Sequence, residues 1–188
     1  MIVVNLLGAP CAGKSTLAAL VFSKLKMLGV SCEIVTEFAK DLVWDNSLNS
    51  LNNQLYVFSE QFYRVWRLKN QVDVVVTDSP MVLSIYYNRK QDLENKLPSD
   101  LFDNLVLYCH NQYKNLNFFI NRDHDYVSVG RKHSEEESKQ IELDMRNLYN
   151  DLNLNYIDIS SSEESAGQIV EIILNELNKE SKENDKKQ

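Results

Sequence analysis

No apolar run in this 188-residue chain approaches the length of a membrane span, which argues against a helical membrane protein. The first residues enter a strand at once, so no secretory leader is expected and a cytoplasmic location is. Cysteine is scarce. Cys11, Cys32 and Cys109 are odd in number and far apart, with no C-x-x-C and no Cys/His pair at metal-ligand spacing. That argues against a zinc site, and reduced thiols are the simplest account. The three histidines, His110, His124 and His133, show no metal pattern either. Positive charge is in the minority, 20 Lys and Arg against 27 Asp and Glu, for a net charge of −7. Broad, nonspecific nucleic-acid binding is therefore not expected, although a local basic groove stays open. There is no internal repeat and no linker. With 44% hydrophobic and 25% charged residues the chain reads as one ordinary globular domain. Its bounds are read as residues 1–177, with a polar tail, 178–188, that should fray.

What is present is a phosphate-binding loop. Gly8-Ala9-Pro10-Cys11-Ala12-Gly13-Lys14-Ser15 fits G-x-x-x-x-G-K-[ST] without a mismatch. It follows an apolar run, Ile2 to Leu7, and precedes a helical pattern, Ser15 to Leu28, which is the context the motif requires. Glycines let backbone N–H groups close around a polyphosphate, and the helix N-terminus adds positive potential. Residues 8–16, through Thr16, are read as the nucleotide cradle. Lys14 is expected to reach the β- and γ-phosphates of ATP, and Ser15 to ligate Mg²⁺.

The rest alternates strand and helix. Strands are expected at Ser31–Thr36, Val72–Thr77, Leu116–Ile120 and Tyr156–Ile159. Helices are expected at Gln54–Gln71, Val82–Tyr87, Ser99–Asn111 and Ser134–Leu152, with a last one opened by a capping box at Ser161–Glu164. The stretch from about Lys40 to Asn53 reads as irregular towards its end. This order predicts a three-layer α/β/α P-loop NTPase with a central parallel five-stranded sheet.

Four further groups carry candidate chemistry. Asp78 lies just past the strand Val72–Thr77, where ligands of open α/β sheets bind, and is read as a second Mg²⁺ ligand and catalytic residue. Asp78-Ser79-Pro80 equally resembles a helix start. Glu37, past the second strand, is a candidate base for an acceptor hydroxyl, or else a helix cap, and Asp41 is a weaker candidate for the same task. Strand two is expected near the P-loop strand. Arg131, in a Gly-containing loop, reads as a lid arginine for the transferring phosphoryl group, with Arg122 the runner-up. Phe58, Gln61 and Arg64, spaced by three on one helix, form a candidate acceptor-binding face, or else belong to the core.

With the P-loop, Glu37-Phe38-Ala39-Lys40, Thr77-Asp78-Ser79-Pro80 and the Arg122–Arg131 segment in place, the chain resembles a group of small P-loop kinases. They are those related to the ribosylnicotinamide kinase domain of the bacterial NAD-salvage regulator, the NadR/Ttd14-type AAA domain, with many phage-encoded members. The resemblance implies a sheet like that of nucleoside and nucleotide kinases, ATP as donor and a small nucleoside or nucleotide hydroxyl as acceptor. It would place a phage-encoded member in the host cytoplasm. It also admits a kinase of 5-hydroxymethyluracil in DNA, for which Arg64, Arg67, Arg89 and Lys90 could supply a basic track. An NTP-hydrolysing switch is the alternative of another class, and a homodimer stays open.

Overall fold

The computed structural model describes residues 1–122 and 134–185. Five strands, β1 (Ile2–Leu7), β2 (Cys32–Val35), β3 (Val74–Thr77), β4 (Lys114–Asn121) and β5 (Ile157–Ser160), form one sheet in the order β2-β3-β1-β4-β5. Every neighbouring pair is parallel. The helices are α1 (Lys14–Met27), α2 (Phe38–Trp44), α3 (Gln54–Trp66), α4 (Leu83–Arg89), α5 (Ser99–His110), α6 (Glu135–Asp151) and α7 (Glu163–Asp185). A 3₁₀ turn spans Leu48–Asn52.

β1 is buried along its whole length, as a central parallel strand covered on both faces must be. Its alternate residues feed two cores. Val3 and Leu7 join Phe58 and Val65 of α3, Ile85 of α4, Phe102 of α5 and Tyr149 of α6. Ile2, Val4 and Leu6 join Leu17, Val21 and Leu25 of α1 and Ile169 and Ile173 of α7. Each of these fully buried side chains contributes about 1.5–3 kcal/mol relative to exposure. The one polar residue of β1, Asn5, lies directly beside Asn117. It donates through Nδ2 to Asn115 and Asn117 at 2.9 Å each, so its burial does not leave the donor unpaired.

Several boundaries differ from the sequence reading. β2 is an edge strand, separated from the P-loop strand by β3. α2 occupies part of the stretch expected to be irregular. Its start carries no Ser, Thr, Asn or Asp at the cap, so the usual sequence signal was missing. α3 ends at Trp66, and β4 begins at Lys114 because pairing with β1 starts at Ile2. The capping box lies at Ser134 and Glu137, whose side chains and backbone N–H groups exchange bonds of 3.2 and 2.6 Å. At the last helix Ser162 accepts from the Ser165 N–H instead, at 3.1 Å. α7 continues through Asp185, past the last apolar residue of its face. Lys114 of β4 bridges Glu176 and Glu180 at 2.8 and 3.1 Å, which ties that stretch to the sheet.

Candidate active site

The loop between β1 and α1 is shaped by backbone conformations that few residues adopt. Gly8 (φ 148°) and Gly13 (φ 85°) are both in the positive-φ region, and Cys11 (φ 67°) is the loop's one non-glycine there. A Cβ on Gly13 would also stand 2.8 Å from the Ser161 Cβ, so packing as well as conformation excludes a side chain. Gly13 caps α1 without a side-chain bond, and the first turn of α1 holds no acidic residue. Its orphan N–H groups and positive dipole end are therefore left for an anion. Lys14 folds over the loop, donating from Nζ to the carbonyls of Gly8 at 2.8 Å and Ala9 at 2.9 Å. α6 leans on the same loop. Ser138, buried, donates to the Pro10 carbonyl at 3.1 Å.

β3 ends beside β1, and this adjacency brings Asp78 to the first turn of α1. The Ser15 hydroxyl donates to Asp78 Oδ2 at 2.5 Å across 63 residues of sequence. Asp78 is not a helix cap: α4 starts only at Leu83, with Val82 at its cap. Its other oxygen, Oδ1, is buried with no hydrogen-bond partner among the described residues. An orphaned carboxylate oxygen beside a hydroxyl suits a hard cation such as Mg²⁺. Among the described residues no three His, Cys, Asp or Glu side chains gather as metal ligands.

Glu37 stands at the cap of α2 (φ −65°, ψ 118°), yet its carboxylate makes no capping bond. Burial raises its pKa above the ordinary carboxylate value. Lys14 and Lys40 pull it down, while Asp78 and Asp41 push it up. Glu37 thus lies within the electrostatic field of the P-loop lysine and Asp78. Tyr87 of α4 belongs there too. The residue as a whole is 41% exposed, while around its phenol burial and then the Glu37 charge push the pKa up. Sequence reading missed Tyr87. Its signal would have been position alone, on a helix that follows Asp78 by a few residues.

The expected acceptor face divides on inspection. Phe58 is core, 3% exposed, stacked on Phe62 and edge-to-face with Phe102. Gln61 is also buried, and its amide is bonded to the backbone of Phe38 and Thr36. Arg64 pairs with Asp41 and lies 5.0 Å over the Phe38 ring. None of the three presents an uncommitted side chain, because the face defined by their spacing is turned towards α2 and the core. Arg122 follows β4 and pairs with Glu135 of α6 at 3.2 Å. Arg131 lies outside the described residues.

A sequence-family profile described as AAA domain (AAA_28) matches residues 3–165, and the chain belongs to that family. Among curated proteins none matches. Among solved structures it is similar to deoxyadenosine kinase from M. mycoides with bound dATP. That likeness has a TM-score of 0.53 and 19% identity, over 94% of this chain and 99% of that one. The same enzyme with the products dCMP and a flexible dCDP aligns equally well, at TM-score 0.53 and 19% identity over the same shares of both chains. Shikimate kinase from Aquifex aeolicus vf5 follows, at TM-score 0.48 and 16% identity over 95% and 98%. The three-layer α/β/α fold with an all-parallel five-stranded sheet is thereby shown to be that of P-loop kinases.

Proposed function

We propose that the protein is an ATP- and Mg²⁺-dependent phosphotransferase that moves the γ-phosphoryl group to a hydroxyl of a nucleoside- or nucleotide-like acceptor. The observation that carries this reading is Glu37. It is a partly buried carboxylate left unused by its own helix, within the field of Lys14 and Asp78. A nucleotide cradle alone does not call for such a group; transfer to an alcohol does, because the attacking hydroxyl must be oriented and relieved of its proton.

In this reading the N–H groups of residues 8–16 and the Lys14 ammonium hold the β- and γ-phosphates. Ser15 and Asp78 would hold Mg²⁺, which when bound neutralises charge on the phosphate oxygens. Glu37 accepts the hydroxyl proton as the O–P bond forms and the bond to the β-phosphate oxygen breaks. Tyr87 donates beside it and helps orient the acceptor. Arg122, and Arg131 in the segment that follows β4, supply cations for the equatorial oxygens of the transferring group. The kinship to NadR-type kinases is part of this proposal, as is a small-molecule acceptor.

The DNA-kinase alternative loses support from the same geometry. Three of the four cations that could track a DNA backbone are paired: Arg64 with Asp41, Arg89 with Asp103 at 2.8 Å and Lys90 with Asp144 at 2.9 Å. The test is an acceptor screen with γ-labelled ATP. It covers nucleosides, nucleoside monophosphates, ribosylnicotinamide and DNA bearing hydroxymethylated pyrimidines. Label on a free nucleoside or nucleotide supports the proposal. Label on DNA alone, or on inorganic phosphate alone, replaces it with the DNA kinase or the hydrolytic switch.

A further inference from the structure

A helix N-terminus leaves N–H groups without intrahelical partners, and the cap residue ordinarily turns its side chain back to accept one. Glu37 holds that position on α2 and does not do so. The first N–H of the helix, that of Phe38, which a cap side chain does not ordinarily reach, finds its acceptor on another helix. Gln61 of α3, 4% exposed, accepts the Phe38 N–H through Oε1 at 2.9 Å and donates through Nε2 to the Thr36 carbonyl at 3.4 Å. One amide grips the chain on both sides of Glu37. Arg64, three residues on, grips it again from the rim. Its guanidinium reaches the Thr36 carbonyl at 3.4 Å, covers the Phe38 ring and pairs with Asp41.

We propose that Gln61 is a positioning residue for Glu37: by bonding the first N–H of α2 and the Thr36 carbonyl it fixes the chain on both sides of Glu37, so that a carboxylate with no capping bond of its own is presented to the site. The inference rests on the reading of Glu37 as the group that takes the acceptor proton. The residue type follows from the task. An amide of this length both donates and accepts without charge. A glutamate at position 61 would accept from Phe38, but it could not donate to Thr36 and would add a second negative charge beside Glu37. A methionine would fill the volume and do neither. A short polar residue at position 37 would cap its own helix and lose its reach into the site.

The experiment uses the full-length labelled protein and two readouts that need no acceptor: amide exchange at Phe38 and NMR titration of the Glu37 carboxyl. Gln61→Met should speed exchange at Phe38 by about ten-fold or more relative to interior amides of α3. It should also move the Glu37 pKa down towards the ordinary value, as the carboxylate gains water. Gln61→Glu, which keeps the acceptor, should leave Phe38 protected. Unchanged exchange and unchanged titration in Gln61→Met overturn the proposal. If that variant does not fold, Gln61→Asn, too short to span Thr36 and Phe38, is read by the same two criteria.

A third readout is transfer from labelled ATP to the nucleoside panel. Gln61→Met should lower kcat about ten-fold at unchanged KM for ATP, and the loss should vanish when Glu37 is already Gln. A loss that recurs in full in the Glu37→Gln background overturns the positioning role alone. Full activity of Glu37→Gln itself overturns the reading of Glu37, while exchange at Phe38 still judges the clamp.

Discussion

The two halves of the site are built by different means. The donor half is one contiguous loop, residues 8–16, whose working parts are backbone N–H groups, two glycines and the first turn of α1. The proposed acceptor half is assembled from side chains on separate elements. Glu37 ends the β2 connection, Gln61 and Arg64 reach it from α3, and Tyr87 comes from α4. The bonds that hold it span 23 to 28 residues of sequence. A backbone cradle tolerates change in most of its side chains, whereas a side-chain assembly can be retuned one residue at a time. The donor can therefore stay ATP while the acceptor varies across a fold, which is why fold alone does not name the acceptor.

Substitutions in the two halves should differ in size and in kind. Lys14→Ala should lower phosphoryl transfer by about 10³-fold or more, in the upper range for loss of a preorganised electrostatic group. Its circular dichroism should match that of the parent protein. The lysine bonds the loop carbonyls of Gly8 and Ala9 and belongs to neither hydrophobic core, so the fold should not depend on it. Near-normal transfer in this variant would remove the donor half from the argument altogether.

Glu37→Gln should cost less, about 10²-fold in kcat, at the lower end for a general base. Phosphoryl transfer gains most from positioning and charge, and the proton leaves late. The pH dependence follows from burial. With its pKa raised, Glu37 becomes an available base only above the ordinary carboxylate range. The acid limb of kcat should be displaced upward accordingly and should be absent from the variant. The stability effect runs the other way. Between the unfolded and the raised folded pKa the native state binds more protons than the unfolded state. Stability therefore falls as pH rises through that window, and the charged Glu37 remains a cost at neutral pH. Glu37→Gln should be slower yet melt slightly higher at pH 7 than the parent, while Lys14→Ala should show no such gain. A lower melting temperature would mean that Glu37 serves the fold.

The contrast also explains what could be read from sequence. A P-loop is legible because its parts are adjacent and their types are forced. Gly13 must be glycine for φ and for Ser161, and both reasons leave the same letter in the chain. The parallel sheet was legible from the buried runs of β1 and β3. Phe58, Gln61 and Arg64 share a helical face by spacing, but spacing does not say what the face meets. The answer, Phe102 for one and the α2 backbone for another, depends on helices elsewhere in the chain. α2 itself was hidden because the acceptor for its first N–H is not local.

Within the donor half, Gly13→Ala should separate loop geometry from charge. The added methyl would be strained at φ 85° and would press on Ser161. The cost is about 2 kcal/mol, and for a chain of this size the melting temperature should fall by about 4–8 °C. ATP binding should weaken together with stability, unlike in Lys14→Ala. A variant with unchanged melting and unchanged ATP affinity would show that the loop relaxes freely, against the tight packing seen around it.

The smallest expected effect falls in the acceptor half and tests how its rim is built. Arg64 is 24% exposed and its partner Asp41 is 47% exposed, so solvent screens the pair. Such pairs contribute about 0.2–1 kcal/mol, and Arg64→Ala should lower the melting temperature by no more than about 4 °C. KM for ATP should not change, since Arg64 bonds Thr36 and Asp41 and covers the Phe38 ring, all on the α2 side of the site. Arg64→Lys should not restore the parent fully, because an ammonium cannot lie flat on Phe38 while reaching both Thr36 and Asp41. A DNA-tracking arginine would behave differently: its removal would reduce the salt slope of DNA binding by about 0.9 on a log–log scale. Salt titration of the parent and of Arg64→Ala against a duplex bearing hydroxymethylated pyrimidines therefore tells the roles apart. Equal slopes fit an arginine spent on holding α2, whereas a slope reduced in the variant would move Arg64 from scaffold to substrate contact.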